Sequence, residues 1–306
     1  MLSTTFCGIE IKSPTVLASG ILGVTKSSIA NVARNGAGAV TIKSISREPR
    51  KGHNNPIIIT YEAGMLNAVG YSNPGIEEAK KEFSSLKDVP APVFASIIGT
   101  TPGDFAFMAK NFIGRENLNG FSAIEVPLSC PHTPGFGMLA GQGTPEATAL
   151  ITAAVRKHTK LPVIIKLSPN IPNIAEVAKA AEKAGADAIN MGNTLGPGMV
   201  INIETKQPVL DFKVGGVSGP AVRPIAVRCV YDLYKAVRIP IIGTGGVTSW
   251  HDAAEMLMAG ASAVGVGSAV YYEGADVFKK INLGLGKFMK QNNYNKVEEM
   301  VGAAHD

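Results

Sequence analysis

Cysteine is scarce in this chain: 306 residues hold three, Cys7, Cys130 and Cys229. They are odd in number and widely spaced, with neither a Cys-x-x-Cys pair nor an interleaved histidine spacing. That excludes a zinc-type ligand set and points to a reducing, cytoplasmic setting. Uninterrupted apolar runs are short as well. None approaches the roughly 20 residues that span a bilayer, and Glu10 and Lys12 break the N-terminal stretch, so a soluble, unprocessed chain is expected. Basic tracts are missing too. Lys and Arg total 29 against 24 Asp and Glu, a net charge of +5, but they are scattered. The densest basic stretch, Arg47, Arg50 and Lys51 beside His53, reads as a solvated loop, so nucleic acid is not an expected partner. A mild positive field still suits an anionic small ligand. Finally, no Gly-x-Gly-x-x-Gly turn and no cysteine cluster occurs, so a dinucleotide or an iron–sulfur centre would have to be carried by another chain.

What is abundant is apolar sequence, 45% of the residues, arranged as a repeated unit. A short run rich in Val, Ile and Ala ends in Gly, Ser, Thr or Lys and is followed by a helical pattern, which implies parallel strands covered on both faces. The strand candidates are Thr15–Gly20, Ala39–Ser44, Val93–Gly99, Phe121–Leu128, Pro162–Ser168, Ala188–Thr194, Pro240–Gly245 and Ala263–Ala269. Helical spacing falls over Pro145–Lys157, Ile174–Ala184, Pro220–Val237 and Trp250–Ala259. Eight strands favour an α/β fold of the (β/α)8 TIM-barrel type over an open doubly wound sheet, with the whole of residues 1–306 forming one domain. Two long insertions, Arg47–Asp88 and Gly196–Ser218, follow the C-terminal ends of the second and sixth strands, the face where barrels keep their active sites. The stretch after about Gln291 is expected to be a surface helix or a frayed tail.

Glycine turns close the last two strands, at Gly243-Thr-Gly-Gly-Val-Thr and Gly265-Val-Gly-Ser. Glycine lets backbone N–H groups approach an anion, and a following helix N-terminus favours negative charge. Gly245, Gly246, Gly267 and Ser268 are therefore candidate phosphate ligands. The competing reading is that these glycines only make tight strand-to-helix turns, and the motif does not separate a flavin phosphate from a sugar phosphate. Lys166, in Ile-Ile-Lys-Leu-Ser-Pro-Asn, puts a charge at the end of an apolar strand, where a cation favours reduction of a flavin ring. Its competing reading is a lysine that snorkels to solvent. Lys43, in Thr-Ile-Lys-Ser, repeats the pattern. Ser19 and Gly20 end the first strand near a ring edge, and Asn67 and Asn193 offer the paired donor and acceptor that an imide edge needs, although asparagines also form turns. Cys130 follows the fourth strand in Glu-Val-Pro-Leu-Ser-Cys-Pro-His and begins a glycine-rich loop. A thiol there is either a general base titrating near neutrality or a buried structural cysteine.

At these positions, and from roughly Leu17 to Ala269, the sequence resembles the class 1 dihydroorotate dehydrogenases. The matching stretches are Leu-Ala-Ser-Gly at 17–20, Ile-Lys-Ser at 42–44, Gly-Met-Leu-Asn-Ala-Val-Gly at 64–70, Asn-Pro-Gly at 73–75, Ser-Cys-Pro at 129–131 and Lys-Leu-Ser-Pro-Asn at 166–170. Asn-Thr-Leu at 193–195, Gly-Gly-Val-Ser-Gly-Pro-Ala at 215–221 and the two glycine turns complete the set. The resemblance implies FMN as cofactor and oxidation of dihydroorotate to orotate in pyrimidine biosynthesis. Cys130 would take a proton from C5 while C6 gives hydride to flavin N5. It implies substrate contacts at Lys43, Asn67, Ala68, Val69, Gly70, Tyr71, His132, Asn193 and Thr194. Cofactor contacts are implied at Ser19, Gly20, Lys43, Ser44, Ser96, Lys166, Gly192, Gly219, Gly245, Gly246, Gly267 and Ser268, and Lys43 and Lys166 join Cys130 in the catalytic set. No metal is implied. Asn-Thr-Leu and the Lys-Gln-Pro-Val-Leu segment at 206–210 look like class 1B, which implies a homodimeric core and a partner subunit carrying FAD and an iron–sulfur cluster.

Three positions depart from the commonest family pattern, with Pro127, His132 and Ser96 where asparagines are usual. Proline has neither a backbone N–H nor a side-chain amide, so Pro127 cannot make an asparagine's bonds to a pyrimidine edge. His132 keeps a donor and an acceptor whose charge responds to pH. Three further readings stay open. One is a flavoenzyme like the reductase barrel of dihydropyrimidine dehydrogenases, acting on uracil or thymine. Others are a phosphate-binding barrel lyase or isomerase without flavin, and a non-catalytic flavin-binding subunit.

Overall fold

A computed structural model describes residues 1–114, 120–128 and 142–305 of the chain. Eight parallel strands close into a barrel in the predicted order: β1 (Thr15–Leu17), β2 (Ala39–Thr41), β3 (Val93–Ser96), β4 (Ala123–Pro127), β5 (Val163–Leu167), β6 (Ala188–Met191), β7 (Ile241–Thr244) and β8 (Ala263–Val266). β8 pairs with β1 and completes the ring. All eight sequence runs therefore contain a barrel strand. Most run two or three residues longer than the paired segment, because residues such as Ser19, Gly20 and Gly245 have left the ladder to form the mouth.

The period of two along each strand separates three environments. Leu17, Val40, Ala95, Ile124, Ile165, Ile189, Ile241 and Val264 face outward into the large core shared with the surrounding helices. The inward residues form a second cluster with one member from every strand: Val16, Ala39, Phe94, Ala123, Ile164, Ala188, Ile242 and Ala263. An N-terminal hairpin, Thr4–Phe6 with Ile9–Ile11, turns through Cys7 and Gly8, both at positive φ, and seals this floor with Phe6 and Ile11. Two residues further along the strands the inward layer becomes polar: Ser96, Glu125, Lys166, Asn190 and Thr244, all buried.

The two insertions meet each other. Gly64–Asn67 from the first pairs antiparallel with Gly215–Ser218 from the second, and with Ile58–Tyr61 and Leu195–Gly198 they make a four-stranded sheet beside the mouth. The expected tail is not frayed. A 3-10 turn at Val297–Glu299 buries Val297 and Met300 completely, and the Gly302 and Ala304 amides donate to carbonyls of Leu257 and Met258. Among the described residues, no helix is long and apolar enough to cross a membrane.

Candidate functional site

The C-terminal ends of the strands and the four-stranded sheet enclose a cleft of about 1260 Å³, open mouth included. Its wall holds Ser19, Gly20, Lys43, Ser44, Asn67, Val69, Gly70, Tyr71, Lys166, Gly192, Asn193, Thr194, Gly219, Gly245, Gly246, Gly267 and Ser268. Residues separated by up to 249 positions in the sequence are thus brought to one concavity, and most of the expected site is among them. Ala68 is not. Its side chain points the other way along the strand, into a small core with Leu66 and Leu210. Nor does Ser96 line the wall: it is fully buried one layer below, with its hydroxyl bonded to Ser44 at 2.9 Å. Cys130 and His132 lie outside the described residues.

Glycines make the far wall passable. Gly192, at φ +150°, would drive a Cβ to 2.2 Å from the Thr244 carbonyl oxygen, and Gly246, at φ +73°, would drive one to 2.6 Å from the Arg223 Cβ. Any side chain at either place would press into backbone or the next helix. Among the described residues, the N–H groups of Gly245, Gly246, Gly267 and Ser268 have no backbone acceptor, which leaves four donors beside one cavity. Helix Trp250–Met258 begins four residues after Gly246, and the Asp252 carboxylate already caps its N-terminus, accepting from the Thr248 and Ser249 amides at 2.9 and 2.8 Å. The Arg223 backbone at the start of helix Arg223–Ala236 lies closer, its nitrogen 2.9 Å from a Cβ built on Gly246.

Both lysines reach the cleft. Burial holds the Lys43 ammonium below the ordinary lysine value of 10.5. Lys166 donates to Ser19 Oγ at 3.0 Å and lies 3.7 Å from the Glu125 carboxylate, with side-chain exposures of 6% and 1%. Around them the loops are pinned by asparagines. Asn73 accepts from the Gly75 and Ser46 amides and donates to the Tyr71 carbonyl, holding Tyr71 at φ +58°. Asn170 accepts from the Gly196 amide at 3.0 Å and donates to the Thr194 carbonyl at 3.1 Å, which fixes the loop carrying Asn193 and Thr194. The Thr194 hydroxyl is buried without a hydrogen-bond partner among the described residues. Pro127 also lines the cleft, in register with Lys166, so the missing amide is at the wall itself.

Sequence reasoning missed Glu125 and Asn190 beneath the cleft, Thr244 at its wall, and Ile21, Ile58, Met65, Val222 and Val247 on its apolar side. Glu125 carried the signal used for Lys166, a charge inside an apolar strand.

Comparison with known proteins then decides the family, because the sequence model of dihydroorotate dehydrogenase matches residues 1–289. The chain belongs to the dihydroorotate dehydrogenase family. Among its relatives, the protein named dihydroorotate dehydrogenase B (NAD(+)), catalytic subunit, of Methanothermobacter thermautotrophicus is 46% identical over 307 residues, covering 100% of this chain and 99% of its own length. Those of the same name from Pyrococcus abyssi and Methanocaldococcus jannaschii are 46% and 44% identical, over 99% and 100% of this chain and 99% of each relative. The expected dihydroorotate dehydrogenase kinship, its class 1B character and the (β/α)8 fold are thereby borne out.

Proposed function

We propose that this chain is the catalytic subunit of an FMN-dependent dihydroorotate dehydrogenase, acting in the cytoplasm as one barrel domain in pyrimidine biosynthesis. The observation that carries the reading is one cleft that holds both lysines and four backbone N–H groups without a backbone acceptor among the described residues. That arrangement fits FMN: Gly245, Gly246, Gly267 and Ser268 hold the phosphate, while the apolar wall of Ile21, Met65, Val222 and Val247 takes the flat ring. Ser19, Gly20, Ser44, Gly192 and Gly219 flank it. When bound, FMN supplies an acceptor for the hydride that leaves C6 of dihydroorotate.

The chain's own residues do the rest. Lys166 holds positive charge at the ring's pyrimidine end. Lys43 meets the substrate carboxylate, and Asn67, Asn193 and Thr194 meet its imide and amide edges, with Val69, Gly70, Tyr71 and His132 closing the pocket. Cys130, two residues beyond the described Leu128, takes the C5 proton, so that C5 and C6 become doubly bonded as the hydride departs. Ser96 supports Ser44 from behind instead of touching the cofactor, and Ala68 acts only through its neighbours. The name shared by the relatives, a catalytic subunit of an NAD(+)-dependent enzyme, supports electron transfer to a partner subunit. This chain's lack of dinucleotide and iron–sulfur motifs favours a partner that carries FAD and an iron–sulfur cluster. A homodimeric core is part of the same reading.

Purified protein should be yellow, release FMN on denaturation, and turn over dihydroorotate with an artificial electron acceptor. Cys130→Ser should keep the chromophore and lose most turnover near neutral pH. A colourless protein that cannot be reconstituted with FMN sinks the reading.

A further inference from the structure

The cleft residues account for a flavin and its substrate, yet Glu125, Asn190 and Thr244 of the buried polar layer are assigned nothing by that reading. Resting on the flavin assignment above, we propose that Glu125 is a positioning residue that sets how much of the Lys166 charge a bound flavin feels, and so sets the flavin's reduction potential.

The geometry is that of a held, offset ion pair. At 3.7 Å the Glu125 Oε1 is too far from Lys166 Nζ for a hydrogen bond, and the ammonium instead donates to Ser19 at 3.0 Å. The carboxylate is kept at that distance by other groups. Asn190 donates to Oε2 at 2.7 Å, and the Thr244 hydroxyl donates to the Asn190 Oδ1 at 2.9 Å, which fixes the amide so that its N–H faces Glu125. Ser96 approaches Oε1 at 3.4 Å and is itself bonded to Ser44 on the cleft wall. Five barrel strands or their ends thus hold one carboxylate, itself 1% exposed, beneath a lysine that lines the cleft.

At such burial little water screens the pair, so the negative charge opposes the lysine's field strongly. A flavin gains negative charge on reduction, and a bare ammonium would favour that form. Glu125 tempers it, which keeps the reduced flavin willing to give its electrons to the next acceptor. Direct contact would instead pull the ammonium down from the cleft, and the Asn190–Thr244 bonds prevent it.

The test is an anaerobic redox titration of the FMN-loaded protein against a reference dye, with E125Q, which keeps shape and removes charge, compared to the wild type. At the poise that leaves wild-type flavin half reduced, the ratio of reduced to oxidised flavin in E125Q should rise at least tenfold, about 30 mV for two electrons. In a K166M background the same change should shift the ratio less than twofold, and E125D should return it to within threefold of wild type. An unchanged ratio in E125Q, or an equal rise without Lys166, overturns the proposal. If E125Q does not fold, N190L serves instead. It takes away the donor that disperses the carboxylate's charge, so the ratio should fall at least threefold, and an unchanged or raised ratio is contrary. Wild-type protein that binds no FMN overturns the parent reading and this one together, whereas flavin bound at an unaltered potential overturns this one alone.

Discussion

Lys43 and Lys166 enter one cleft from non-adjacent barrel strands, and among the described residues only Lys166 has a carboxylate beside it. The lysine without a counter-charge is the one suited to an anionic substrate group. Replacing Lys43 by Met removes a charge-assisted bond worth about 1.5–3 kcal/mol. Orotate binding, read from the perturbation of flavin absorbance, should weaken roughly ten- to a hundredfold, and unchanged affinity would show that Lys43 does not meet the carboxylate.

The same lysine sets an alkaline limit. Burial favours its neutral form, so the folded protein gives up this proton at a lower pH than an exposed lysine, below 10.5. Folding therefore carries a cost while Lys43 is charged, present below its folded pKa and relieved as pH rises toward 10.5. Anion affinity runs the opposite way and should fall as pH rises through the folded pKa, because the charge is lost. Orotate titrations across the alkaline range should show that fall in the wild type and none in Lys43→Met.

Much of this was legible beforehand, and for a physical reason. Strands covered on both faces must be apolar, so a charge such as Lys166 stands out at once. Glu125 stands out equally, but its role depends on Asn190 and Thr244, on β6 and β7, whose approach no local pattern shows. Period-two counting explains Ser96: it is two residues past the floor residue Phe94, hence inward and below the mouth. The sheet beside the cleft was not legible, since Leu66 pairs with Val217 across a gap that no local pattern spans. The asparagines at 73 and 170 belonged to recognised stretches, but their work of pinning loops appears only once the chain is folded.

Gly246→Ala tests the phosphate cradle. The residue sits at φ +73°, and a Cβ there meets Arg223 at 2.6 Å. Left-handed backbone costs a non-glycine residue about 1–2 kcal/mol, before the clash is counted. FMN affinity should drop by at least tenfold with a lower melting temperature, measured by fluorescence titration of the apoprotein. Full affinity would move the phosphate elsewhere.

The three thiols should differ in reactivity. Burial, aided by Asp187, pushes Cys7 up to about 12, and burial also raises Cys229, so neither offers much thiolate at pH 8. Iodoacetamide at that pH should label Cys130 and inactivate the enzyme, with Cys130→Ser taking up almost none. Mass spectrometry finding Cys7 or Cys229 modified first would contradict the assignment.

The central claim, a flavin held in this cleft and reduced by dihydroorotate, is tested most directly by mixing the oxidised protein anaerobically with candidate substrates and following the flavin band. Dihydroorotate should bleach it within the enzyme's turnover time, while dihydrouracil and dihydrothymine leave it coloured. A band that dithionite bleaches but dihydroorotate does not, or that dihydrouracil bleaches faster, would contradict the account.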